Sequence, residues 1–399
     1  MTILVFNDRF SANVGDGLLA EALLHHLRAE VPEIPSLGVD IDGKTGYAAG
    51  EDRRGWKRCL PVPFALRRRL RCRAAYRRVR ARIAAIRSET AGISAIVIGG
   101  GQLITATSDY FPARLSAVLD DAREHRVPVY VHAVGVSEAE TWQAADARLL
   151  ARALTDRTCL RRAAVRDTRS KRLWDLLAPE VPAALAPDPG IVADALPHRR
   201  GEPDPERVGI GVMAPKVVRE IMKAEDGAGV AFYRDLCGAL ADRGLRLRLF
   251  TNGDPGDETF LDALMADGAV AGIAERAPRP RDPAALLEIV GGCGAIAAHR
   301  MHANIAAYAL GVPHVGLGWD PKLEGFFALS GRSGFLVGPG PGSATRAADA
   351  VARALATPWD EARRRQVRAH AVRAVADLAA AIRADVGGAA AGAATPVRA

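Results

Sequence analysis

The chain has 399 residues, 49% of them hydrophobic and 25% charged, with 54 Lys and Arg against 46 Asp and Glu. That balance excludes a disordered chain and leaves room for two domains, each large enough to bury its own core. No apolar run reaches the ~20 residues of a membrane-spanning helix, because the most apolar stretch, 294–318, contains His299, Arg300 and His302.

Thr2–Asn7 reads as a first strand rather than a signal peptide, so the expected location is the cytoplasm. Asn13-Val14-Gly15-Asp16 separates it from a helix at Gly17–Ala29. There Gly15 permits a tight turn and the helix amides suit an anion or a sugar hydroxyl, although Asp16 as a simple N-cap explains the acid equally well. After a strand at Leu37–Ile41, residues 53–87 hold fourteen Lys or Arg and no acid, leaving the rest of the chain at −6 against a total of +8. Within that segment Leu66, Leu70, Val79, Ile83 and Ile86 recur at helical spacing between arginines. A solvated helix docked on its own domain and a contact with anionic lipid headgroups both suit this pattern. Trp56, Phe64 and Tyr76 favour the membrane surface over nucleic acid, for which no further motif is present.

Strand Ile93–Ile98 leads into Gly99-Gly100-Gly101, where backbone amides can approach a ligand closely or the chain simply turns. Helix Phe111–His125 and strand Val127–Val134 follow, the strand carrying His132 near its carboxyl end. Next come helix Ala139–Leu154, strand Arg161–Val165, then Arg166-Asp167 and Ser170 as an N-cap, and the loop 186–190 with Asp188. An arginine at a strand end is suited to a bidentate grip on carboxylate or phosphate. Asp194–Arg207, rich in proline and charge, reads as a linker.

Beyond it, strands at Val208–Met213, Leu245–Thr251, Ala295–Ala298, Val312–Leu317 and Gly334–Val337 alternate with helices at Ala231–Arg243, Asp257–Asp267, Pro283–Val290 and Ala303–Leu310. Helices near Ala344–Ala356 and Trp359–Val386 close the chain. The expected fold is therefore α/β: two doubly wound Rossmann-like domains, 1–195 (with the basic insertion 53–87) and 208–360, with a cleft between them holding the active site. A C-terminal helix, 361–386, and a disordered Gly/Ala tail, 387–399, complete the expectation.

His299-Arg300-Met301-His302 stands where a strand turns into a helix. Two histidines at i, i+3 suggest a metal, but no carboxylate stands at the His-Glu-x-x-His spacing. The five cysteines (Cys59, Cys72, Cys159, Cys237, Cys293) form no Cys-x-x-Cys pair, so they read as reduced thiols and no metal is expected. An arginine, a histidine and free amides at a helix N-terminus suit a phosphate instead.

Taken in order, Asn13-Val14-Gly15-Asp16, Gly99-Gly100-Gly101, Val165-Arg166-Asp167-x-x-Ser170, Asp188-Pro189, Arg300-Met301-His302-Ala303, Gly311-Val312-Pro313 and Asp320-x-Lys322 resemble the polysaccharide pyruvyl transferase family over residues 1–335. The resemblance implies a glycosyltransferase B-like fold. It also implies transfer of a pyruvyl group from phosphoenolpyruvate onto two hydroxyls of a polysaccharide or lipid-linked sugar as a cyclic ketal, with no cofactor beyond that donor. By motif match the family's phosphoenolpyruvate-binding residues carry over to His132, Arg166, Arg300 and His302. Asp16, Asp188 and Asp320 are candidates for acid-base steps beside His302 and Arg300. The chain departs from the family in having His299 where Ser, Thr or Asp is common, and in its basic segment. A glycosyltransferase of the same fold using a nucleotide sugar is the alternative, and a basic surface-binding protein without catalysis is the non-enzymatic one.

Overall fold

A computed structural model describes residues 1–47, 64–106, 110–138, 142, 145–199, 202–215 and 229–393. The chain divides into two units, each described by itself. Unit 1 comprises Met1–Phe10, Leu19–Pro189 and Ala369–Ala399, and unit 2 comprises Ser11–Leu18 and Gly190–Arg368.

Unit 1 is built on six parallel strands: β1 (Thr2–Asn7), β2 (Ser36–Asp40), β3 (Ile93–Ile104), β4 (Val129–Val136), β5 (Leu160–Val165) and β6 (Ala183–Leu185), in the order β2-β1-β3-β4-β5-β6. Near-continuous apolar runs are what a parallel sheet covered on both faces demands, and Ile3, Leu4, Val5 and Phe6 of β1 are all at most 1% exposed. Helices α2 (Phe64–Glu89), α3 (Tyr110–His125) and α4 (Ala145–Leu154) cover one face, where Val79, Ile83, Leu115, Val118 and Leu150 meet Leu4 and Phe6. The other face is covered by α1 (Val14–Glu30) and by the last helix of the chain, through Leu23, Leu27, Val375, Leu378 and Ile382 against Ile3 and Val5. Helix α5 (Thr168–Leu177) buries Trp174.

Unit 2 repeats the plan with β7 (Asp204–Gly211), β8 (Arg246–Phe250), β9 (Ala274–Arg276), β10 (Cys293–Ala298), β11 (His314–Leu317) and β12 (Leu336–Val337), all parallel in the order β12-β11-β10-β7-β8-β9. Its helices are α6 (Val230–Ala241), α7 (Pro255–Met265), α8 (Gly268–Ala271), α9 (Pro283–Gly291), α10 (Met301–Leu310), α11 (Pro321–Leu329) and α12 (Ser343–Ala356), and α13 (Glu361–Ala393) ends the described chain. Open α/β sheets take ligands at the carboxyl ends of strands where the order reverses. That point is β1/β3 in unit 1 and β7/β10 in unit 2.

Several expectations differ from what is observed. The three glycines do not form a strand-to-helix turn: β3 continues through them to Ile104, with Gly100 at φ 73° and Gly101 at φ 83° making an irregularity inside the strand. The unit boundary falls at Pro189, before the proposed linker, because Gly190 onward packs with unit 2. Ser11–Leu18 joins unit 2, where the Val14 amide donates to the Asn252 carbonyl at 2.8 Å. The C-terminal helix does not stop at Val386 but runs to Ala393, since alanine is the strongest helix former even where it offers no core. Cys59, Trp56 and residues 53–63 of the basic insertion lie outside the described residues, as do 394–399 of the tail.

Candidate functional site

In unit 2, β10 ends at Ala298 and α10 begins at Met301, which places His299, Arg300 and His302 at a strand's carboxyl end and a helix N-terminus at once. Arg300 is anchored. Its Nε and Nη2 donate to Asp257 Oδ2 at 2.8 and 2.7 Å, while Asp257 Oδ1 accepts from the Ala214 amide at 2.9 Å. Asp257 has no exposed surface. Burial pushes its carboxyl above the usual range and Arg300 opposes that shift, as expected of a charge held in low dielectric by one partner. The His299 imidazole is buried, with Nδ1 at 2.9 Å from the Tyr233 hydroxyl, which itself accepts from the Met213 amide at 2.9 Å. Trp319 Nε1 donates to the His299 carbonyl at 2.6 Å. The turn is thereby fixed by the loop after β7, by α6 and α7, and by the loop after β11.

His302 sits against the N-terminal turn of α1. Its Nδ1 is 3.8 Å from Asp16 Oδ1. A Cβ added to Gly15 would lie 2.3 Å from His302 Cβ and 2.7 Å from Nδ1, closer than any real side chain approaches, so the glycine is what admits the imidazole. Asn13, not Asp16, caps the helix, its Oδ1 accepting from the Gly15 amide at 3.3 Å. Asp16 is left in the first turn, facing His302. Asp320 is occupied: it caps α11 by accepting from the Lys322 amide at 2.8 Å and pairs with Lys322 Nζ at 3.0 Å.

In unit 1, Gly99 pairs in register with His132, and Gly101 with Val134. His132 is 3% exposed, and burial, aided by the nearby Arg162, pushes its imidazole down to about 4. Its Nε2 is buried without a hydrogen-bond partner among the described residues. Arg166, at the end of β5, donates from Nη2 to Gln102 Oε1 at 2.5 Å and has Nε 3.4 Å from Asp167 Oδ2. It lies flat on Gly135, where an added Cβ would come within 2.6 Å of Nη2. Asp167, rather than Ser170, caps α5, accepting from the Ser170 amide at 2.6 Å. The Ser170 hydroxyl accepts from the Val136 amide. Asp188, 4% exposed, precedes the 3-10 turn Pro189–Ala195.

Three residues escaped sequence reasoning. Asp257 lies 43 positions from Arg300 and Tyr233 lies 66 from His299, and no local pattern links them. Asn7, at the carboxyl end of β1 beside the β1/β3 reversal, is 2% exposed and neither atom of its amide has a partner among the described residues. A polar residue ending a run of buried aliphatics was the available signal. Among the described residues no three His, Cys, Asp or Glu are grouped to hold a metal, and no helix is long and apolar enough to cross a membrane.

The folds of solved proteins match this architecture over almost its whole length. A complex of 3,4-dichloroaniline with a UDP-glucosyltransferase from Polygonum tinctorium aligns with TM-score 0.53 at 10% identity, covering 96% of this chain and 98% of that one. A UDP-GlcNAc 2-epimerase from Neisseria meningitidis bound to UDP-GlcNAc aligns with TM-score 0.53 at 10% identity, covering 95% and 98%. A protein from O. sativa in complex with UDP gives 0.55 at 10% identity, covering 96% and 100%. At such identity the likeness fixes the fold, which is glycosyltransferase B-like. No curated protein matches the chain in sequence. The sequence model of the polysaccharide pyruvyl transferase family matches residues 13–321, from the Asn13 turn to the first residue of α11, and the chain accordingly belongs to that family.

Proposed function

We propose that the protein moves the enolpyruvyl unit of phosphoenolpyruvate onto two hydroxyls of a saccharide as a pyruvate ketal, releasing phosphate. The observation that carries this reading is the Arg300–His302 turn, where a guanidinium fixed by a buried carboxylate and an imidazole facing Asp16 share one helix N-terminus. Phosphate is the ligand that such a convergence of donors and positive charge suits best.

In the reaction the first hydroxyl adds to C2 of the donor as C3 takes up a proton to become a methyl group. The C2–O bond to phosphate then breaks, and the second hydroxyl closes the ring as its proton passes to the departing phosphate. Arg300 would hold phosphate oxygens, and His302, oriented through Nδ1 by Asp16, would carry a proton to the leaving group. In unit 1, considered by itself, Arg166 is suited to grip a substrate carboxylate or phosphate. His132, neutral above pH ~4, would act as a hydrogen-bonding group and not as a cation. Asp188, buried at the entry to the 3-10 turn, is a carboxylate for the acid-base steps, whereas Asp320 is committed to Lys322. The reaction as proposed draws on no cofactor beyond the donor itself.

The alternative is a glycosyltransferase using a nucleotide sugar, favoured by one fact: solved relatives of the fold were captured with UDP. Thermal melts of the wild type with phosphoenolpyruvate and with UDP-sugars separate the two. A ligand at ~100 times its dissociation constant adds about 2.7 kcal/mol. Stabilisation by phosphoenolpyruvate that disappears in Arg166→Ala supports pyruvyl transfer. Stabilisation by a UDP-sugar alone would overturn it.

A further inference from the structure

Helix α2 has two faces, and folding uses one. Cys72, Ala75, Val79, Ile83 and Ile86 are buried, the last three in the unit 1 core. The helix is also clamped to α3, through Arg87 and Asp121 at 2.5 Å, Arg80 and Asp121 at 3.6 Å, and Tyr76 and Asp120 at 2.9 Å. It therefore presents its other side as a rigid surface. At about 100° per residue, Leu66, Leu70, Ala74, Ala81 and Ala84 fall within roughly 80° of one another, opposite the core stripe, and all five are exposed. Leu66 and Leu70 are 47% and 51% exposed. Exposed Arg69, Arg73 and Arg77 run along this strip, and Arg71 and Arg78, the latter paired with Asp42 at 3.3 Å, lie on its other side. Among residues 64–88 there is no acid to neutralise them from the same helix.

We infer that the Leu66–Arg77 face of α2 docks the protein on an anionic phospholipid bilayer. A strip of leucine and alanine bordered by arginines matches the two layers of a membrane surface: apolar side chains enter the acyl boundary while guanidiniums reach back to headgroup phosphates. A nucleic acid would use the arginines and have no use for two exposed leucines. The inference is independent of the chemistry proposed above. Membrane docking would bring a lipid-linked acceptor to the enzyme, but it stands or falls by itself.

Sedimentation of the full chain with vesicles tests it, comparing phosphatidylcholine containing a quarter phosphatidylglycerol with phosphatidylcholine alone at about 100 mM salt. The wild type binds the anionic vesicles selectively. Arg73→Gln with Arg77→Gln lowers the partition coefficient about 30-fold, and Arg69→Gln with Arg73→Gln gives a second, similar loss. Leu66→Ser with Leu70→Ser, which leaves the charge unchanged, lowers it roughly tenfold. Absence of sedimentation with anionic vesicles overturns the proposal. So does indifference to the leucine pair combined with displacement by duplex DNA, which would make this face a polyanion site.

Discussion

The two units hold their strand-end arginines by different means. In unit 2 the Arg300 guanidinium lies on a fully buried carboxylate, Asp257, so much of its charge is compensated from within. In unit 1, Arg166 rests on the Gly135 backbone and donates to a neutral amide, Gln102, with its own neighbour Asp167 no nearer than 3.4 Å. A guanidinium held by a neutral acceptor keeps more of its charge for a ligand, whereas one held by a buried carboxylate serves the scaffold and a ligand at once. Arg300 should therefore matter as much for stability as for binding, and Arg166 mainly for binding.

The sharpest way to break that contrast is to remove each arginine. Arg300→Ala strands the Asp257 charge in the interior and should cost about 3–5 kcal/mol in denaturant unfolding. Arg166→Ala should cost about 1 kcal/mol, in line with one neutral hydrogen bond and a loose ion pair. Equal losses would show that the Asp257 carboxyl is already neutral. The next effects come from two buried histidines, His132 in unit 1 and His314 in unit 2. His132 is depressed to about 4 and His314 to about 3, both by burial, from an ordinary 6.5. Unfolded imidazoles bind protons that the folded ones refuse, so the stability present at neutral pH is lost as pH falls below 6.5, down to about 4 in unit 1 and about 3 in unit 2. At pH 5 each contributes a loss of about 2 kcal/mol. His314→Leu should flatten the pH dependence of unfolding between pH 7 and 5 by that amount, and an unchanged slope would refute the assignment. The smallest effect concerns backbone. Ala133 in β4 has φ 51°, a left-handed conformation costly for alanine, so Ala133→Gly should stabilise unit 1 by about 0.5–1 kcal/mol despite the added chain entropy. Destabilisation in a urea melt would mean that packing against Ala164 and Ala186 outweighs the strain.

The alternation of elements was legible because parallel strands buried on both faces leave unmistakable aliphatic runs, and the Arg300–His302 turn stood out as charge interrupting the longest of them. Partners were not legible. Asp257 sits in the first turn of α7 behind Asp254 and Pro255, where an acid is sufficiently explained by the helix dipole, so nothing in its neighbourhood points to Arg300. The same ambiguity ran the other way at Asp320, whose position invited a catalytic role and whose oxygens cap a helix and bind Lys322. At Ser170 the backbone amide, and not the hydroxyl, takes part in the cap. The glycine run showed where the backbone departs from regularity but not that the strand would continue through it.

The last helix has a consequence for synthesis. Through Arg368 it belongs to unit 2, where that arginine binds both oxygens of Asp194 at 2.8 Å. From Ala369 it belongs to unit 1, where Val375, Leu378 and Ile382 cover Ile3 and Val5. A chain emerging from the ribosome makes the unit 1 sheet first and has only α1 on that face while all of Gly190–Arg368 is translated. The face of unit 1 under α2–α4 can close early, but the other stays half-covered until the last helix is made, and the nascent protein carries exposed aliphatic surface through that interval, the kind of surface on which chaperones act.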